Sequence, residues 1–220
     1  MCHHYRGARR LPDWMVSEFS IRTNLALIES LRGDYYPLSV VPVIRQAEGE
    51  PAGDEWEVAG MEWGLLPRWW KPSDKAPKRS TFQRKVFNAR CESVHEKPTF
   101  RDAFRRRRCL IPADCFFEKG HYFHTEDGEP FCFAGLWESW RAGEGEASEA
   151  SADGWVLTCT LLTTEPNGAV RGVGHHRMPV LLTSAEAARV WLESDPADRG
   201  AFERLFEPFS GRLVVEPAES

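Results

Sequence analysis

The sequence predicts an α+β fold: one domain over residues 1–220, built on an antiparallel, barrel-like β core with helices at its periphery. Three observations carry this. Strand-length runs rich in Val, Ile and aromatic residues fill the middle of the chain, whereas helix signals are short and scattered around them. Two acidic, Gly-rich stretches, at about 46–54 and 142–154, are flanked by strand-like segments and read as exposed loops, not domain linkers. A hydrophobic content of 42% with 9 Trp is enough for a sizeable core.

Taken in order, residues 13–20 and 24–31 are helical candidates. Residues 38–44 form a Val/Ile-rich strand. Thr99 with Asp102 can start a short helix through about Arg106. An apolar strand then runs from Arg108 to Glu118. Residues 131–140 place Phe131, Phe133, Gly135 and Trp137 on one face of a strand, and residues 155–163 do the same with Trp155, Leu157, Cys159 and Leu161. Residues 180–182 are a short apolar run. Thr183 and Glu186 fit a capping box, with Thr183 as N-cap of a helix reaching about Leu192 and burying Ala187, Val190 and Trp191. Residues 201–206 are helical and residues 213–215 make a terminal strand.

Nothing in MCHHYRGARR leads into an apolar run, and no segment approaches the roughly 18 apolar residues of a membrane span. A soluble, cytoplasmic protein is expected, with no membrane association. The six cysteines form no C-x-x-C pair, so a disulfide framework is not expected and most should pack as small hydrophobes. Net charge is −5, yet residues 68–108 hold 14 of the 28 Lys and Arg against 4 acidic residues. A basic stripe on an acidic protein points to a groove for a polyanion.

Four neighbourhoods set polar residues among apolar strands: Cys2; Asn88 to Glu92; Arg108 to Glu118, where a carboxylate closes an apolar strand; and His175-His176-Arg177-Met178-Pro179. Cys2 is the most informative. Loss of Met1 leaves a 1,2-aminothiol whose amine (pKa about 8) and thiol (about 8.5) are both partly in reactive form near neutrality. Such a pair can trap an aldehyde as an imine and close it to a thiazolidine. Taken singly, each of the other residues has a structural explanation: a turn for Asn88, a surface strand end for Glu118, a core histidine for His175, an Arg90–Glu92 ion pair.

Together these segments resemble the SRAP family of abasic-site-processing proteins. The resemblance is carried, in family order, by Met1-Cys2, Trp63-Gly64-Leu65-Leu66-Pro67-Arg68-Trp69, Asn88-Ala89-Arg90-Cys91-Glu92, Arg108-Cys109-Leu110-Ile111-Pro112-Ala113-Asp114 leading to Glu118, Phe133-Ala134-Gly135-Leu136-Trp137-Glu138, and His175-His176-Arg177-Met178-Pro179. It implies that Cys2 is a crosslinking nucleophile, with Asn88, Glu118 and His175 completing the catalytic set, and that Arg90 holds DNA phosphate. The implied activity is lyase-like: covalent capture of the ring-opened aldehyde of an abasic site in single-stranded DNA or at single-strand/duplex junctions. Peptidase-type removal of Met1 is part of the same analogy.

Arg68, Arg84, Lys85, Arg90, Arg105, Arg106 and Arg177 are the candidate phosphate contacts. The flanking Lys78, Arg79, Arg107 and Arg108 extend the stripe. Trp69 or Trp70 is placed to stack on a base, with a core role open to either. The chain departs from the family at His3-His4, where Gly-Arg is usual, and at Lys119 after Glu118, where Trp is usual. Arg6 or Arg9 are the substitutes nearest in sequence for the missing arginine. No metal and no organic cofactor are expected. The expected partner is abasic single-stranded DNA, bound by a monomer that joins the nucleoid when engaged. Rival readings are a thiol hydrolase using Cys2 with His175 and Asn88, a metal module using Cys2, His3, His4, His175 and His176, and a plain DNA binder.

Overall fold

Alternation of side chains builds the core from two layers. The computed structural model describes residues 2–22, 32–47, 55–143, 151–152 and 154–218. Its strands are β1 (Tyr5–Gly7), β2 (Ser20–Arg22), β3 (Asp34–Tyr35), β4 (Val40–Gln46), β5 (Glu55–Trp63), β6 (Asn88–Arg90), β7 (Arg108–Glu118), β8 (His121–Thr125), β9 (Phe131–Arg141), β10 (Ser151–Ala152), β11 (Trp155–Thr164), β12 (Met178–Pro179), β13 (Leu181–Leu182) and β14 (Leu213–Pro217). The helices are α1 (Asp13–Glu18), α2 (Arg79–Gln83), α3 (Arg101–Arg106), α4 (Gly168–Gly172), α5 (Ala185–Glu193) and α6 (Arg199–Phe206).

Five strands close a ring in the order β9-β11-β5-β4-β7 and back to β9. Four of its pairings are antiparallel, as the sequence predicts; β5 and β11 run parallel. Closure removes free sheet edges from the ring. Along β9, Phe131, Phe133 and Trp137 join the inner layer, with Tyr5, Val41, Val43, Met61, Trp63, Ile111 and Cys159. The alternate residues Cys132, Ala134 and Leu136 join the outer layer, which is covered by Met15 of α1, Phe104 of α3, Trp191 of α5 and Phe202 of α6. Strands buried on both faces explain why these runs are apolar throughout. Gly135 is required in this wall: a Cβ there would lie 2.9 Å from the Cys109 sulfur and 3.0 Å from Ile111.

Two cap assignments shift. The α5 N-cap is Ser184, whose hydroxyl accepts from the Ala187 N–H at 3.2 Å, and not Thr183. The buried stripe is consequently Ala188 and Trp191, with Ala187 and Val190 only half-buried. Helix α3 begins after Phe100 with no side-chain cap, so Thr99 does not start it. The candidate helix over 24–31 and most of both acidic segments lie outside the described residues. Their flanks show that 46–54 joins the antiparallel pair β4–β5, and 142–154 joins β9 to β11. All six cysteines are buried free thiols. No helix among the described residues is long and apolar enough to cross a membrane.

Candidate active site

The site is built where several chain segments meet at one end of the ring. Strand β1 lies antiparallel to the last part of β7, with Tyr5 opposite Phe116. This carries Cys2 toward the strand end bearing Glu118, and the Phe117 N–H donates to the His4 carbonyl at 3.0 Å. Strand β6 runs parallel to the end of β11, with Asn88 beside Leu161. Strand β12 pairs with the last residues of β11 and brings the preceding His175 into place. Glu118 is held by a two-residue hairpin: Lys119 (φ 52°) and Gly120 (φ 80°) turn β7 into β8, and Glu118 faces His121 across it. Positive φ at both loop residues is the signature of a type I′ turn.

The four candidates converge and are buried: Cys2 1% exposed, Glu118 2%, His175 6% and Asn88 9%. The Asn88 Nδ2 donates to the Cys2 carbonyl at 2.8 Å, and Asn88 Oδ1 has no hydrogen-bond partner among the described residues. The Cys2 thiol donates to the His4 carbonyl at 3.5 Å. Burial, reinforced by the nearby Glu118 charge, pushes this thiol far above the ordinary range. With Met1 still joined to Cys2, the thiol is therefore held in its neutral form.

Glu118 Oε2 lies 3.2 Å from His175 Nε2. The opposite ring nitrogen, Nδ1, donates to the Arg177 carbonyl at 2.7 Å. Burial pushes Glu118 up to about 7 and pushes His175 down. With Nδ1 carrying a proton and His175 held neutral, Nε2 is left as an acceptor. The pair then shares one proton, on the carboxyl side.

The cationic candidates divide by burial. Arg84, Lys85 and Arg90 are exposed, flank Asn88, and form no ion pair among the described residues. Arg105 and Arg106 are also exposed, but they precede the start of β7, whereas Glu118 ends it. Arg68 is mostly exposed, yet tied to Ser139 at 3.0 Å and Glu138 at 3.4 Å. Arg177 is not a free phosphate contact: it is buried, grips Glu92 with two hydrogen bonds (2.6 and 3.0 Å), and donates to the Thr163 carbonyl. Glu92 is thus paired with Arg177 and not with Arg90. Arg107 is bound to Glu138 at 2.8 Å, and Arg79 to Glu62. Arg108 is structural too, donating to the Leu192 and Ser194 carbonyls at the end of α5. Trp69 is 53% exposed, while Trp70 is in the core and accepts from the Trp140 indole through its carbonyl.

Sequence reasoning missed how Asp34 and Tyr36 surround the His4 side chain, whose carbonyl accepts the Cys2 thiol. In sequence the paired histidines stand out as a departure from the family and as candidate ligands of the rival metal module, and nothing links position 4 to position 34. Arg6 and Arg9 both face carboxylates, Asp34 at 3.6 Å and Asp114 at 2.7 Å. Among the described residues no group of three His, Cys, Asp or Glu side chains is arranged to hold a metal ion.

A buried thiol, an amide, a carboxyl and an imidazole thus gather at one end of a closed five-stranded ring. The chain belongs to the SRAP family: the model of that family, SOS response associated peptidase, matches residues 1–220. It is 32% identical over 207 residues to abasic site processing protein YoqW of Bacillus subtilis (strain 168), covering 90% of this chain and 83% of that protein. It is 26% identical over 223 residues to abasic site processing protein HMCES of Pongo abelii, covering 86% of this chain and 58% of that longer protein. A crystal structure of a Bordetella bronchiseptica protein superposes over the full length of both chains, with a TM-score of 0.72 and 27% identity. One from Bacteroides thetaiotaomicron gives 0.75 at 20% identity, covering 100% of this chain and 93% of that one, a likeness of fold alone.

Proposed function

We propose that the protein processes abasic sites in DNA, capturing the ring-opened aldehyde covalently through Cys2. The observation that carries this is the convergence of Cys2, Asn88, Glu118 and His175 from four separate segments into one buried site. The relatives' names supply the substrate class.

In this reading, removal of Met1 turns the Cys2 nitrogen from an amide into an amine. The amine adds to the sugar aldehyde, giving a carbinolamine. Glu118, protonated near neutrality, donates a proton as water leaves and the imine forms. The Cys2 sulfur then adds to the imine carbon, its proton passes to nitrogen, and a thiazolidine closes with net loss of one water. His175 relays protons to the sugar oxygen during ring opening, and Asn88 Oδ1 orients the amine or a sugar hydroxyl.

Burial of the nucleophile favours a nucleotide without a base, and a single strand enters without unpairing. Arg84, Lys85 and Arg90 track phosphates beside Asn88, and Trp69 offers a stacking face at a junction. The imidazole turned onto Glu118 supports acid/base work on the sugar more than activation of a hydrolytic thiol.

The test is a denaturation-resistant adduct between the protein with a processed terminus and a single strand carrying one abasic site. Adduct is expected for wild type and absent in Cys2→Ala. It is also expected to be absent when one residue is retained ahead of Cys2, which keeps the thiol but removes the amine. Adduct persisting in either variant overturns the proposal.

A further inference from the structure

We infer that His4 is a positioning residue for Cys2: with Asp34 and Tyr36 it clamps the nucleophile against the strand end that carries Glu118. The inference rests on the reading of Cys2 given above. His4 is 6% exposed. Its Nε2 lies 2.8 Å from Asp34 Oδ1, and its ring stacks on Tyr36 at 4.5 Å and 15°. Phe117 and Tyr122 close the remaining sides at 5.0 and 5.7 Å.

An imidazole in such an aromatic box loses hydration and needs its carboxylate partner; an apolar side chain would fill the space without that cost. The backbone of the same residue explains what the clamp holds. The His4 carbonyl accepts both the Phe117 N–H at 3.0 Å and the Cys2 thiol at 3.5 Å. Phe117 immediately precedes Glu118. One residue therefore fixes the thiol and the backbone next to the acid with a single carbonyl, while its side chain fixes that carbonyl. Asp34 is shared, since Arg6 lies 3.6 Å from the same oxygen, so the carboxylate also ties β1 to β3.

Positioning and DNA contact make opposite predictions. Single-turnover adduct formation, measured across DNA concentrations, separates the maximal rate from the half-saturating concentration. Misplacement of a reacting group by about 1 Å is worth up to 100-fold, so His4→Ala is expected to lower the maximal rate by about 10- to 100-fold. The half-saturating concentration should stay unchanged. His4→Gln, whose amide N–H can reach Asp34, should recover most of the rate, and Asp34→Asn should fall between.

A DNA-independent readout runs alongside: alkylation of Cys2 by iodoacetamide, located by peptide mass, should speed up in His4→Ala as the clamp loosens. A raised half-saturating concentration at full maximal rate, a glutamine variant no better than alanine, or unchanged alkylation would each overturn the inference. Should wild type form no adduct, the functional reading fails while the alkylation series still decides the clamp. Should His4→Ala not fold, the glutamine and Asp34→Asn variants decide it.

Discussion

The Glu118–His175 pair is defined by where its proton rests. Glu118 is an acid whose folded pKa, about 7, lies above the ordinary carboxyl range near 4.3 because burial disfavours its anion. A raised acid stabilises the fold fully below its unfolded pKa, and that contribution is lost as pH rises through the folded value. Urea midpoints of wild type should therefore fall relative to Glu118→Gln between about pH 4.3 and 7; parallel curves would contradict a buried, protonated carboxyl. Asn88 makes a separate prediction. Removing its donor in Asn88→Ala leaves the Cys2 carbonyl without that bond, at about 1–3 kcal/mol by chemical denaturation, and should slow adduct formation. The candidate site was legible as residues because Cys2, Asn88, Glu118 and His175 fall in ordered motifs. Their protonation was not, since the thiol's shift depends on burial and on Glu118, 116 positions away in sequence.

At the scale of elements, the β7–β8 hairpin sets where Glu118 sits. Lys119 occupies a left-handed backbone position that side chains with a Cβ disfavour. Lys119→Asn, better suited to that conformation, should raise stability by up to about 1 kcal/mol in thermal melts. Gly120→Ala should lower it by about 1–2 kcal/mol through backbone strain alone, as its Cβ would meet nothing within 4 Å. The long strands β7, β9 and β11 were legible from their composition and alternation. Strands β1, β3, β6 and β12, two or three residues each, were not: at that length no period exists, and their pairing is imposed by β7, β11 and the ring. The one-residue shift from Thr183 to Ser184 has a similar cause. Both can cap, and the choice falls to whichever register seats Trp191, whose indole bonds the Cys109 carbonyl at 3.0 Å.

For the whole molecule, the basic stripe over 68–108 reads as one groove in sequence but divides in space. Arg107, Arg108 and Arg79 are used up inside the fold, and Arg177 likewise, so losing Arg177 should lower the melting temperature through its Glu92 and Thr163 bonds. Of the exposed cations, Arg84, Lys85 and Arg90 flank Asn88. Arg105 and Arg106 stand before the first residue of β7, and that strand's 11 residues span about 33 Å when extended. Each phosphate contact on a single strand contributes about 0.7 to the slope of log affinity against log salt. Arg90→Ala and Lys85→Ala should each reduce the slope by about that amount without moving the melting temperature. Arg105→Ala with Arg106→Ala should leave it unchanged for an oligonucleotide too short to reach from Cys2 to the start of β7. If Arg105 and Arg106 reduce the slope on such a short strand while Lys85 and Arg90 do not, the DNA path runs past the start of β7, and the assignment of the binding face to residues 84–90 is wrong.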